Sequence, residues 1–150
     1  VGQNFGAQKF DRIKKSTILS SILSVITVGV FSALVLIFGK QILGIYIADS
    51  NEAIKWGMLR LTFVFIPLII QGMMESMTGA VRGLGVSVGS MVVSVGCICG
   101  VRILWCLTIF NIPQFHTPQI LFVSYPISWV ATVLLQTLLF VSVYKRKKVL

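Results

Sequence analysis

The chain has 150 residues, of which 56% are hydrophobic and only 11% are charged. A soluble domain carries roughly 25% charged residues, so this composition excludes an ordinary soluble core and indicates a membrane protein. The formal net charge of +9 is compatible with nucleic-acid binding. However, most of the cations lie at the ends of long apolar stretches, as they do in cytoplasmic loops of membrane proteins. We therefore expect a lipid bilayer as partner and no nucleic acid.

Four stretches are long and apolar enough to cross a bilayer, which requires about 20 residues in a helix. They cover about residues 18–38, 53–81, 86–110 and 119–144. In the second stretch, Asp49 and Glu52 predict the start of the helix, and Pro67 predicts a kink within it. The sequence predicts an all-α fold, a polytopic membrane helix bundle.

Lys and Arg are distributed unequally between the two sides of this bundle. One side carries the cations before the first span, Arg82, and the cations after the fourth span. The other side carries Lys40 and Lys55, with Arg60 near it. Because cytoplasmic loops are enriched in Lys and Arg, this asymmetry predicts a multi-pass protein of a cell membrane with both chain ends in the cytoplasm.

The second span carries a polar stripe, in which Gln71, Glu75 and Thr78 lie on the same face as Pro67. Lipid tails cannot form hydrogen bonds with these polar side chains, so the stripe should face other helices or a water-filled cavity. Glu75 is the only acidic residue that we expect inside a span, and intramembrane carboxylates commonly mark functional sites. The structural alternative is an ion pair between Glu75 and a basic residue, either Arg82 or Arg102.

The third span combines glycines with one deep cation. The pairs Gly85/Gly89 and Gly96/Gly100 have the spacing that permits close helix approach, so we expect Gly89 and Gly96 to lie in a tight helix contact. Arg102 projects from nearly the opposite side and would cost at least about 2.5 kcal/mol in lipid. A structural role for Arg102 is favoured over direct contact with a substrate.

The fourth span places Tyr125, Trp129 and Gln136 on one side. Aromatic ring faces attract organic cations by about 0.5–2 kcal/mol per contact, so these residues are candidates for binding a cationic substrate. The structural alternative is that the aromatic residues mark a membrane interface and that the polar groups hold helices together.

No catalytic or metal-binding arrangement is present in the sequence. Cys97, Cys99 and Cys106 lie in one apolar stretch without a nearby histidine, so we expect small buried side chains and no metal site. His116 lies in a short loop without a neighbouring nucleophile or carboxylate. The sequence gives no indication of an enzyme.

Three motifs in the same order resemble the bacterial branch of the multidrug and toxic compound extrusion (MATE) family, and the first fifteen residues resemble the segment after the second helix of a lobe in that family. The motifs are Gly79-Ala80-Val81-Arg82-Gly83-Leu84-Gly85-Val86-Ser87, Arg102-Ile103-Leu104-Trp105 and Ser124-Tyr125-Pro126-Ile127-Ser128-Trp129. The resemblance covers essentially the whole chain. It implies twelve helices in two pseudo-symmetric lobes, of which this chain would supply most of the C-terminal lobe and would need the N-terminal lobe as partner.

The resemblance also implies a secondary antiporter that exports cationic organic compounds in exchange for protons or sodium ions, without another cofactor. We therefore expect Glu75, with Gln71 and Thr78, to bind the coupling ion. Two alternatives remain at this point. One is a lipid-linked oligosaccharide flippase of related fold, and the other is a membrane subunit that does not transport.

Overall fold

The computed structural model describes residues 1–46 and 51–149, and these residues form helices joined by short connections. The helices are α1 (Gly2–Gly6), α2 (Phe10–Ile37), α3 (Gly39–Tyr46), α4 (Asn51–Phe65), α5 (Leu68–Gly83), α6 (Ser87–Leu107) and α7 (Pro118–Val149). A 3-10 turn, Pro113–Phe115, precedes α7. Within the described ranges there is no strand, so the fold is all-α, as the sequence predicted.

Three helices, α2, α6 and α7, are individually long and apolar enough to cross a membrane. They contain 28, 21 and 32 residues, which at about 1.5 Å per residue matches or exceeds a hydrocarbon core of about 30 Å. Helices α4 and α5 meet the same criteria only as a pair. The chain is therefore a multi-pass membrane helix bundle.

The second predicted span is broken where Pro67 lies. The axes of α4 and α5 differ by 43°, and Pro67 occupies the position immediately before α5. Proline has no N–H to donate, and its ring clashes with the carbonyl four residues earlier, so an undistorted helix cannot pass through it. The break separates α4 from α5, the helix that carries the polar stripe.

The helix ends differ from the predicted spans in ways that charge and helix length explain. Helix α2 already begins at Phe10, and α7 continues to Val149, because basic residues at a membrane surface can remain helical outside the hydrocarbon. The short helices α1 and α3 were not predicted, since they contain too few residues for an apolar period. Glu52 lies in the first turn of α4, whereas Asp49 lies outside the described residues.

Helix α5 lies between α2 and α7, and α6 packs mainly on α7. The buried core is at the end where both chain termini meet, and it contains Ile13, Val81, Leu84 and Phe140. In contrast, only 6% of the apolar stretch is buried in α2, and the same holds for α6. The outer faces of these two helices are therefore available to lipid or to further helices.

Helices α2 and α5 approach each other closely at Gly72. A Cβ atom at this glycine would lie 2.9 Å from Val28 Cγ2 and 3.2 Å from Ser24 Oγ. The Ser24 hydroxyl donates to the Gly72 carbonyl at 2.8 Å. A larger residue would force the helices apart, so this small residue determines how α2 packs beside the polar face of α5.

Candidate ion-coupling site and the polar helix faces

Glu75 lies on an open groove of about 390 Å³ between α2 and α5, which α1 borders at one end. The polar residues Ser20 and Ser24 line it from α2, and Ser76 and Gly79 line it beside Glu75 on α5. Glu75 lies about two helical turns, or about 10 Å, before Arg82 near the end of α5. The carboxylate therefore lies near the middle of α5.

Serine hydroxyls fix the wall of this groove. Ser20 Oγ and Ser21 Oγ each lie 3.0 Å from Ser76 Oγ. Ser20 and Ser21 also donate to the Thr17 carbonyl, at 3.0 and 2.9 Å. These contacts hold a set of hydroxyl oxygens beside Glu75, and the free lone pairs of such oxygens can bind a small hard cation.

The Glu75 side chain is exposed and makes no hydrogen bond or ion pair with any described residue. The structural ion pair with Arg82 or Arg102 is therefore not formed within the described part of the chain. An ionised carboxylate is costly inside a membrane unless it has a partner or water. This groove thus presents an acidic group that a proton, a metal cation or an organic cation can neutralise.

The two expected partners of Glu75 are placed differently. Gln71 lies one turn away on the same helix and is half-buried. Thr78 is only 3% exposed and does not line the groove. Its carbonyl accepts a hydrogen bond from Ser90 Oγ of α6 at 3.4 Å, whereas its own hydroxyl oxygen is buried without a partner. Gln71 does not line the groove either, so the structure places neither of the two expected partners in the groove beside Glu75.

Arg102 contacts α7 instead of a carboxylate. Its guanidinium carbon lies 4.2 Å from the centre of the Tyr125 ring, and its Nε donates to Ser128 Oγ at 3.4 Å. The Tyr125 ring in turn packs edge-on against Trp129, which is 6% exposed. One face of Tyr125 is thus occupied by the protein's own cation, and these contacts favour a structural role for Arg102.

Gln136 lies fully buried between α6 and α7. Its Nε2 donates to the Ser90 carbonyl at 2.8 Å and to Ser94 Oγ at 2.9 Å, and it lies 3.2 Å from Ser90 Oγ. Both amide hydrogens therefore have acceptors in the neighbouring helix. This geometry favours helix packing for Gln136 over the substrate contact expected from the sequence, because a substrate would have to separate α6 from α7 to reach it.

The glycines of α6 have fewer helix contacts than expected. A Cβ at Gly89 would meet Val86 Cγ1 at 2.9 Å and, across the interface, Leu139 Cδ2 at 3.8 Å. Gly96 is exposed, and no described atom lies within 4 Å of its added Cβ. The tight contact expected at Gly96 is not met within the described residues, because α7 packs on another side of α6.

Sequence reasoning overlooked Gly72 and Ser76, which form the contact between α5 and α2. Their signal was present, since Gly72 and Ser76 have the same small-residue spacing that was noted in the third span. The pair is less evident than the glycine pairs of the third span, because bulky residues such as Met73, Met74 and Met77 surround it. In addition, the polar stripe of Gln71, Glu75 and Thr78 lies on another side of the same helix.

The remaining candidate residues have ordinary local contacts. His116 Nδ1 lies 3.1 Å from the Phe110 carbonyl, and the two rings stack with centres 4.3 Å apart. The three cysteines are free; Cys97 is half-buried, whereas Cys99 and Cys106 are exposed, so the burial expected for them from the sequence is not found among the described residues. In residues 1–46 and 51–149, no group of three or more His, Cys, Asp or Glu side chains is arranged to hold a metal ion.

Comparison with known proteins gives one family match. The MatE family model matches residues 1–108, which is more than two thirds of the chain and includes α1 to α6. No curated protein and no solved structure matches the chain.

Proposed function

Because the chain belongs to the MATE family of membrane transporters, we propose that it is part of a secondary antiporter that exports organic cations in exchange for protons or sodium ions. The observation that carries this proposal is Glu75, a carboxylate without an ionic partner among the described residues, in one arm of a broken candidate membrane span. Transporters commonly place coupling groups on such interrupted helices.

In this proposal, ion movement is coupled to substrate movement because the ion and the cationic substrate compete for the negative charge of Glu75. A proton or sodium ion neutralises Glu75 when the substrate is absent, with the hydroxyls of Ser20 and Ser76 as neighbouring oxygen ligands. Arrival of a cationic substrate makes release of the ion favourable, because two cations at one carboxylate repel each other. Since the effect is reciprocal, an ion gradient then drives the substrate in the opposite direction.

The substrate contact expected at Tyr125 becomes a more specific proposal. A cationic substrate can use the ring face that Arg102 covers only after the guanidinium moves away. Trp129 contributes by holding the Tyr125 ring edge-on. The exposed outer faces of α2 and α6 would pack against lipid and against other helices of the transporter, including an N-terminal lobe.

The same contacts favour a cation exporter over the two alternatives. A flippase for an anionic lipid-linked oligosaccharide needs a strongly cationic cavity, but Arg102 is engaged by α7, and Glu75 lines the groove. A subunit that does not transport would be unexpected in a family of transporters.

The proposal is tested with the complete transporter in sealed vesicles. A fluorescent organic cation such as ethidium is added, and a proton gradient or a sodium gradient is imposed separately. We expect one of the two gradients to drive ethidium against its own gradient, and dissipating that gradient with an ionophore should stop the movement. If neither gradient moves ethidium or any of a panel of organic cations, the antiport proposal is wrong.

A further inference from the structure

A second groove lies at the end of the bundle where the chain termini meet, and it shares no lining residue with the Glu75 groove. It has a volume of about 480 Å³ and lies between the start of α2 and the end of α7. This volume is within the range of ordinary ligand pockets. Its lining residues are Gln8, Lys9, Phe10, Asp11, Arg12 and Lys148.

Residues far apart in sequence form this groove because α7 is fixed to the first turn of α2. Tyr144 donates a hydrogen bond to the Phe10 carbonyl at 3.3 Å, and the two rings meet edge to face with centres 6.0 Å apart. This contact brings Lys148 next to Lys9 and Arg12. The groove is therefore a consequence of the fold and not of a single basic segment.

The groove has an excess of positive charge that the described residues leave unpaired. Three cations line it against one carboxylate, Asp11. The side chains of Lys9, Arg12 and Lys148 are exposed and make no hydrogen bond or ion pair with the described residues. The adjacent Lys147 is engaged differently, since its Nζ donates to the Leu84 carbonyl at 2.8 Å.

Beyond one turn that carries Lys15 and Ser16, an apolar surface lies farther along the same side of α2. Leu19, Leu23 and Ile26 are 68%, 62% and 56% exposed, and they lie within about 60° of Arg12 around the helix. A molecule with an anionic head at Arg12 would therefore place its hydrocarbon tail along this face. Free phosphate would use only the basic end and would leave the apolar surface uncovered.

We propose that this groove binds the phosphate headgroup of an anionic phospholipid, with the acyl chains along the exposed face of α2. The group that the basic residues bind is a phosphodiester. The neighbouring apolar face of α2 favours a lipid over free phosphate as the molecule that carries this group. Cytoplasmic leaflets supply such lipids to basic sites near membrane helices. The inference does not depend on the antiport proposal, because binding can be measured without transport.

The test uses the complete transporter in a neutral detergent, titrated with short-chain phosphatidylglycerol. Binding is measured by native mass spectrometry and by the rise in melting temperature that a ligand produces. The variant is Arg12→Gln with Lys148→Gln. Its matched control is Lys14→Gln with Arg146→Gln, which removes the same residue types from the same helices but from exposed positions that do not line the groove.

We expect the groove variant to bind phosphatidylglycerol at least about tenfold more weakly, since it loses the charge-assisted hydrogen bonds that Arg12 and Lys148 would donate to the phosphate. The control should bind nearly as the wild type does, and both variants should melt normally without lipid. Equal losses in the two variants would show diffuse surface attraction and overturn the site. An equal response to phosphatidylcholine, or to inorganic phosphate alone, would overturn the anionic-lipid assignment.

Discussion

Polar side chains inside the apolar helices differ in whether they have a partner in a neighbouring helix. This difference distinguishes residues that stabilise helix packing from candidates for a functional role. Gln136 places both amide hydrogens on acceptors of α6. Arg102 lies over the Tyr125 ring and donates a hydrogen bond to Ser128. Of these three residues, only Glu75 lies on a groove without such a partner among the described residues. These contacts favour a packing role for the first two residues, and they leave Glu75 as the residue for which we propose ion coupling.

At the residue scale, we predict that Gln136→Leu lowers the free energy of unfolding of the complete transporter by about 1–2 kcal/mol. The substitution retains much of the side-chain volume but removes hydrogen bonds that contribute about 0.6 kcal/mol each on average, and at most about 1.7 kcal/mol. It also leaves the Ser90 carbonyl without this donor. Thermal unfolding in detergent measures the change.

The control for this prediction is Gln114→Leu, at an exposed position of the 3-10 turn before α7. Its melting temperature should stay close to that of the wild type. If Gln136→Leu also melts like the wild type, the buried amide is not a packing group, and the substrate role expected from the sequence regains support.

At the element scale, the packing of the bundle depends on which face of each helix contacts a neighbouring helix. The sequence predicted the polar stripe of α5 and the kink position from the residues of one helix. It did not identify Gly72 as the crossing point with α2, because a small-residue pair does not reveal which helix approaches it. For the same reason, the glycines of the third span were assigned a tight contact that Gly96 lacks in the described chain.

We predict that Gly72→Leu destabilises the transporter more strongly than Gly96→Leu. An added Cβ at Gly72 already meets Val28 Cγ2 at 2.9 Å, whereas none of the described atoms lies within 4 Å at Gly96. Overpacking typically costs about 1–3 kcal/mol. The melting temperatures of both variants in detergent measure this difference, and an equal or larger loss at Gly96 would reveal a close neighbour there.

At the scale of the whole molecule, composition and apolar length were sufficient to predict a multi-pass helix bundle, because the bilayer imposes a minimum length on every span. The location of the core could not be predicted in this way. It depends on how Phe10 and Phe140 meet the last turn of α5 near the chain termini. Likewise, the partners of Glu75 and Arg102 depend on helix rotation, which hydropathy does not determine.

We predict that the end with both termini faces the cytoplasm, because basic residues are concentrated there. Single cysteines are introduced at exposed positions of a complete transporter without native cysteines, and an impermeant thiol reagent is applied to intact cells. Cysteines replacing Asn51 or Asn111 should be labelled, and those replacing Lys14 or Arg146 should not. Labelling of the second pair alone would reverse the orientation.

The most direct test of the account replaces Glu75 by Gln in the complete transporter, with Glu52→Gln as the matched control. Both positions are exposed glutamates in the same broken span, but Glu52 lies in the first turn of α4, away from the groove. Gradient-driven export of an organic cation is measured in vesicles, together with the amount of folded protein. We predict that Glu75→Gln abolishes ion-driven export at normal folding, because the amide cannot exchange charge, whereas Glu52→Gln transports like the wild type. Ion-coupled export that persists in Glu75→Gln would contradict the account.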